Sequence, residues 1–86
     1  GIMGSVYGDG TTTPKRGSGF TVSRDGSNNY TVTFTAAFAA VPIITIQPEG
    51  STTAHSSALT SVTTSGFIVR FDSSPAIDFN FMAIVP

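Results

Sequence analysis

The side chains that could carry acid–base or nucleophilic chemistry are few. The chain has four Lys or Arg, five Asp or Glu and a single histidine, His55. A serine nucleophile, an imidazole base and an orienting carboxylate can be assembled on paper from its 11 serines, His55, and Asp72 or Asp78. No G-x-S-x-G elbow presents such a serine. His55 lies in a Ser/Thr-rich stretch, where the coincidence is expected. Cleavage of a glycoside needs two converging carboxyl groups, and loop solvation accounts for Asp72 and Asp78 without it. The chain is therefore read as no enzyme. One histidine and no cysteine exclude a thiolate or polyhistidine zinc centre. No calcium-loop spacing occurs, so neither a metal nor a cofactor is assigned.

Non-covalent recognition asks less of the same residues. Saccharide hydroxyls are held by planar polar groups, and these are scarce enough to name. Asn28, Asn29, Glu49, His55, Arg70, Asp72 and Asp78 are the candidate ligand contacts. They fall in or beside three polar stretches, 24–29, 49–57 and 72–78, and loops on a rigid scaffold are where recognition concentrates. Each residue also has a plain structural reading. His55 would be an exposed loop residue. Arg70 alternates with Phe67, Val69 and Phe71, so it faces away from the core, and it would pair with Asp72 or line a cleft between subunits. Arg24 and Asp25 are hairpin chemistry, and Tyr30 belongs with the core residues Val32 and Phe34. The net charge of −1 argues against nucleic acid, which needs a basic face. It also argues against a polybasic membrane anchor, and no apolar run reaches the ~20 residues of a spanning helix.

The elements that must hold these residues are strands. Serine and threonine supply 24 of the 86 residues, while charged residues supply 10%, against about 25% in an average soluble domain. With nine glycines, seven phenylalanines and few helix formers, the composition is all-β. Phe20–Ser23 alternates apolar and polar, and Asp25-Gly26 is a hairpin signal. Tyr30–Thr35 is the clearest strand, with Tyr30, Val32 and Phe34 on one face and threonines on the other. Further strands are expected over 43–47, 57–63, 67–72 and 78–85. Six strands with turn signals between them predict a small antiparallel β-sandwich or barrel over residues 20–86. Residues 1–19 hold six glycines and no sustained period. They read as a linker, or as an arm ordered against neighbouring subunits through Ile2, Met3, Val6 and Tyr7.

Two of these strands are apolar on both faces. Ile44 and Ile46 share one face, with Ile43 opposite. Phe79, Phe81, Ala83 and Val85 share another, with Asn80, Met82 and Ile84 opposite. A strand with one face in water should alternate cleanly, so the second face needs an apolar partner. Ile43, Met82 and Ile84 are therefore the expected subunit interface. A chain this short buries only ~60% of its unfolded surface, which makes oligomerisation the usual support.

The order of several short pieces resembles a known family. Tyr30-Thr31-Val32-Thr33-Phe34 is followed by Phe38, then by Val41-Pro42-Ile43-Ile44. Ser61 to Val69 and Phe79 to Ile84 complete the pattern. These pieces resemble the H-type lectin-like sandwich and are similar to the C-terminal tip domains of phage tail fibres. The resemblance implies a six-stranded antiparallel sandwich assembled as a homotrimer, and the fibre-tip likeness implies that residues 1–19 are the end of a shaft or neck. It also implies host attachment through a cell-surface polysaccharide or other glycan, and a location at the virion's tail-fibre tip or outside the cell. Two departures stand out. Ala58 occupies the place of the family's arginine, and the loop before the last strand, about 72–77, lacks the family's tryptophan. A trimerisation cap that binds nothing and a soluble H-type lectin-like protein are the alternatives.

Overall fold

The computed structural model describes residues 1–26, 28–50, 54–72 and 76–86. Among these the chain is all-β, with seven strands: β1 (Ile2–Val6), β2 (Phe20–Asp25), β3 (Asn29–Phe34), β4 (Ile43–Glu49), β5 (Ser57–Thr63), β6 (Gly66–Phe71) and β7 (Asp78–Ile84). They form two antiparallel sheets, ordered β1-β7-β4 and β2-β3-β6-β5. The expected β-sandwich architecture is present, with one strand more than the six expected. The additional strand comes from residues 1–19. Ile2–Val6 pairs with Phe79–Ala83 of β7, so part of this segment is a strand of the chain's own sheet. Its pattern is hard to see because Gly4 occupies an inward position. A Cβ there would lie 2.3 Å from the Phe20 ring, so the close approach of β1 to β2 excludes a side chain.

The inward residues are those the alternation selects. Val22, Tyr30, Val32, Phe34, Phe67, Val69 and Phe71 from one sheet meet Val6, Ile44, Phe79, Phe81 and Ala83 from the other. Aromatic edges bridge the layers. Phe20 meets Phe81 with ring centroids 4.8 Å apart, Phe67 meets Phe81 at 5.1 Å, and Tyr30 meets Phe79 at 5.3 Å. Edge-to-face pairs of this kind add about 0.5–1.5 kcal/mol each beyond the area they bury. The Tyr30 hydroxyl, otherwise stranded in the core, donates to the Gly8 carbonyl at 2.9 Å.

Each sheet edge carries a feature that blunts it. Beside β1, Ser5 N–H donates to the Arg16 carbonyl and Lys15 N–H to the Ser5 carbonyl, both at 2.9 Å. Beside β2, Val22 N–H donates to the Thr12 carbonyl at 3.1 Å. β4 contains Pro48, which has no N–H to offer. The register of β5 slips between Leu59 and Ser61, a bulge that bends the edge.

Candidate functional site

The strand registers bring the described residues that flank the three predicted loops to one end of the sandwich. Asp25 pairs with Asn29 and Asn29 with Arg70. Ser57 pairs with Phe71, and Glu49 with Asp78. All seven candidate ligand contacts therefore lie at or beside the same end. The opposite end carries Ile2, Phe34, Ile43, the Thr63–Gly66 turn and Ile84. Ser27, residues 51–53 and residues 73–75 of the predicted loops lie outside the described residues.

Three groupings form at this end. In the first, Asn29 and Arg70 stand side by side on the outer surface of the four-stranded sheet, in a row running Asp25, Asn29, Arg70, Ala58. Asp25 accepts a hydrogen bond from the Thr31 hydroxyl at 2.8 Å.

The second grouping is a clasp. His55 Nδ1 lies 3.1 Å from Asp72 Oδ1. Asp72 Oδ2 also accepts the Ser56 N–H and hydroxyl, both at 3.2 Å. Asp72 N–H in turn donates to the Ser56 carbonyl at 3.0 Å. The Ser56 N–H and, after it, the His55 side chain hold the Asp72 carboxyl below its ordinary value. Two expectations change here. His55 is half-buried against Asp72 rather than a simply exposed loop residue. Asp72 is held by His55 and Ser56 rather than by Arg70, because Arg70 projects outward from the sheet while Asp72 turns back toward the start of β5. Asn28 braces the same corner, its side-chain amide donating to the Phe71 carbonyl at 2.8 Å and its backbone carbonyl accepting Phe71 N–H at 3.0 Å.

The third grouping is an ion cluster on the outer surface of the three-stranded sheet. Lys15 Nζ lies 2.8 Å from Glu49 and 2.9 Å from Asp78. The Arg16 guanidinium pairs with the other Glu49 oxygen. It also donates to the Ser5 hydroxyl at 3.1 Å and the Asn80 carbonyl oxygen at 3.3 Å. Asp78 accepts the Gly8 N–H at 2.7 Å. Hydrogen bonds from Lys15 and Arg16 hold the Glu49 carboxyl below its ordinary value, and those to Glu49 and Asp78 raise Lys15. The cluster fastens the 7–17 segment over the end of the sheet. Lys15 and Arg16 were not among the candidates. Their partners lie 34 and 63 residues away from Lys15, a distance that no local pattern spans.

Among the described residues no group of three or more His, Asp or Glu side chains converges as metal ligands would. The concave surfaces are shallow and lie on the sheets. A hollow of about 410 Å³ sits between β1 and β7, lined by Met3, Gly4, Ser5, Arg16, Gly17, Asn80, Phe81 and Met82. A smaller one of about 170 Å³ lies on the β4 side of the same Asn80–Met82 ridge. On the other sheet a trough of about 190 Å³ runs past Thr31, Thr33, Ser61, Thr63 and Gly66.

The predicted interface residues lie outside the site. Ile43 pairs with Ile84, and Met82 with Met3 and Thr45. All three point outward from the three-stranded sheet and are exposed: Ile43 by 59%, Ile84 by 51% and Met82 by 40%. Comparison of the chain with protein-family models, with curated proteins and with solved structures returned no match.

Proposed function

We propose that this chain is the receptor-binding tip domain of a homotrimeric phage tail fibre, with an H-type lectin-like sandwich that recognises a host cell-surface glycan. One observation carries the reading: the seven polar candidates that flank the three loops lie at or beside one end of the sandwich, while the exposed isoleucines and methionines gather toward the other end of one outer surface. The loop end would meet the ligand, and the apolar surface would meet the other subunits. The rigid core keeps the two apart. Recognition would be non-covalent, through amides, hydroxyls and Arg70, with weak sites multiplied by three fixed copies.

The site would centre on Asn29 and Arg70, which project from the sheet, flanked by the His55–Asp72 clasp. Binding of the fluorescently labelled protein to immobilised bacterial surface polysaccharides tests this. Saturable binding, weakened at least tenfold by Arg70→Ala, is the expected result. Absence of binding to polysaccharides and to intact bacterial cells overturns it.

A second reading, a trimerisation cap that ends a fibre and binds nothing, draws on a specific observation. Asn28, Glu49, His55, Asp72 and Asp78 all hold partners within the chain, so five of the seven candidates brace the loops. The same binding experiment decides between the two readings, because a cap retains its oligomeric mass and shows no affinity.

A further inference from the structure

The outer surface of the three-stranded sheet combines projecting apolar side chains with a hollow, and the inference drawn from it extends the homotrimer reading above, on which it rests. Met3, Val41, Ile43, Met82 and Ile84 are five of the exposed large apolar residues among those described, and Met3 is the most open at 67%. Strand pairing makes them neighbours. Met3 lies beside Met82, Ile84 beside Ile43, and Val41 precedes β4 two residues before Ile43. Together they present on the order of 500 Å² of apolar surface, as large as the largest patch on a typical monomer. That is somewhat under the ~800 Å² that each partner contributes to a standard interface.

The surface is not flat. Ile43 and Ile84 project at the β4 side, toward the end of the sheet. The hollow of about 410 Å³ opens at the β1 side, between Met3 and Met82. Its floor is Phe81 and the glycine at position 4, whose inward-directed Cβ position is filled by the Phe20 ring. Its wall includes Gly17, where φ is +85° and a Cβ would lie 2.6 Å from the Met3 carbonyl. A glycine there lets the 15–17 segment lie close along β1 and border the hollow. The polar rim, Arg16, Ser5 and Asn80, is already satisfied by internal hydrogen bonds. Covering it leaves no charge stranded, the usual penalty for burying such a rim.

Two further observations favour a second copy as the occupant. The four sheet edges are blunted, so association of copies through edge pairing is disfavoured and the open apolar surface is what remains. The net charge of −1 sets up little repulsion between copies.

We infer that Ile43 and Ile84 of one copy enter the hollow between Met3 and Met82 of the next. The contact joins two unlike parts of the same surface, so it repeats from copy to copy until the ring closes. The first strand is thereby an interface element as well as a structural one, since it supplies Met3.

The native chain has no cysteine, which makes disulfide trapping unambiguous. Met3→Cys and Ile43→Cys are made as single variants and oxidised separately and as a mixture, after circular dichroism has verified that each is folded. Both side chains are exposed, so the core is untouched. The mixture is expected to give a disulfide-linked pair, and each variant alone is expected to stay unlinked. The double variant is expected to give a covalent ladder that ends at the ring. Light scattering of the unmodified chain is expected to give a multiple of 8.9 kDa, which Ile84→Asp returns to 8.9 kDa while Thr33→Asp, on the other sheet, does not.

Separate outcomes overturn separate statements. A monomer at every concentration sinks both the homotrimer and this contact. An oligomer whose mixed cysteines stay unlinked, or whose mass ignores Ile84→Asp, sinks the contact and leaves the homotrimer standing. Linking of either single variant with itself shows a like-with-like contact and also sinks it.

Discussion

The two sheets share one core and differ on their outer surfaces. On the four-stranded sheet the outward rows run Thr21, Thr33, Gly66, Thr63 and then Ser23, Thr31, Ile68, Ser61. Hydroxyls dominate, and the surface behaves as an antiparallel sheet with one wet side should. On the three-stranded sheet the outward rows run Ser5, Asn80, Gln47, then Met3, Met82, Thr45, then Ile84, Ile43. That surface grades from an ion cluster at one end to bare hydrocarbon at the other. Both sheets are antiparallel and pack on one core, and it is their outward residues that make the two surfaces unlike. An outer surface can change its role without touching the core, because the two-residue period separates the decisions.

The largest effect expected is the loss of what both surfaces rest on. Phe81 touches Phe20 and Phe67 from the opposite sheet and also floors the hollow. Phe81→Ala should cost about 3–5 kcal/mol, read as a collapse of the urea midpoint. If the cost is below 1 kcal/mol, the packing between sheets is not as described.

Next comes Gly66, on the hydroxyl-lined sheet. A Cβ there would fall 2.1 Å from the Val32 carbonyl oxygen, so the β3–β6 pair must part to admit one. Gly66→Ala should destabilise by about 2–3 kcal/mol, and a neutral result would mean that the two strands are further apart.

A smaller effect comes from acid and belongs to the three-stranded sheet. The folded-state value of Glu49 is depressed below its ordinary 4.5. Its contribution is therefore present above that value and is lost as pH falls through the folded one. Thermal melts of the unmodified chain should weaken as pH is lowered from about 5 toward 2. Glu49→Gln should flatten the part of that slope nearest pH 4.5. Asp72, depressed from 3.8, contributes further down the same scale. An unchanged slope in the Glu49 variant would show that the ion cluster does not hold in solution.

The smallest change is expected at Thr33, exposed on the four-stranded sheet. Thr33→Val should shift stability by no more than about 0.5 kcal/mol. A large loss in a urea titration would mean that the hydroxyl rows interact, and that the two surfaces are less different than they look.

Much of this molecule was legible in single strands. Tyr30, Val32 and Phe34 declared their shared face, and Ile43, Met82 and Ile84 declared a second apolar surface, because side chains alternate every residue along an extended chain. The loops were legible through Asp25-Gly26 and the polar stretches after β4 and β6. The first strand was not. With Gly4 inside and Met3 and Ser5 outside, its five residues carry no readable alternation, and its identity depends on the Phe20 ring filling the space that a side chain would take.

Local chemistry thus determined the all-β class, most strand positions and the residues that face outward, since these depend on steric preferences and a two-residue period. Tertiary structure decided which loops share an end, that Asp72 is held by His55 rather than Arg70, and that Lys15 and Arg16 close on Glu49 and Asp78. Those pairings join residues 17 to 63 positions apart. Nothing in the adjoining sequence specifies them, because the strands that carry the partners must first be ordered into sheets before their side chains can meet.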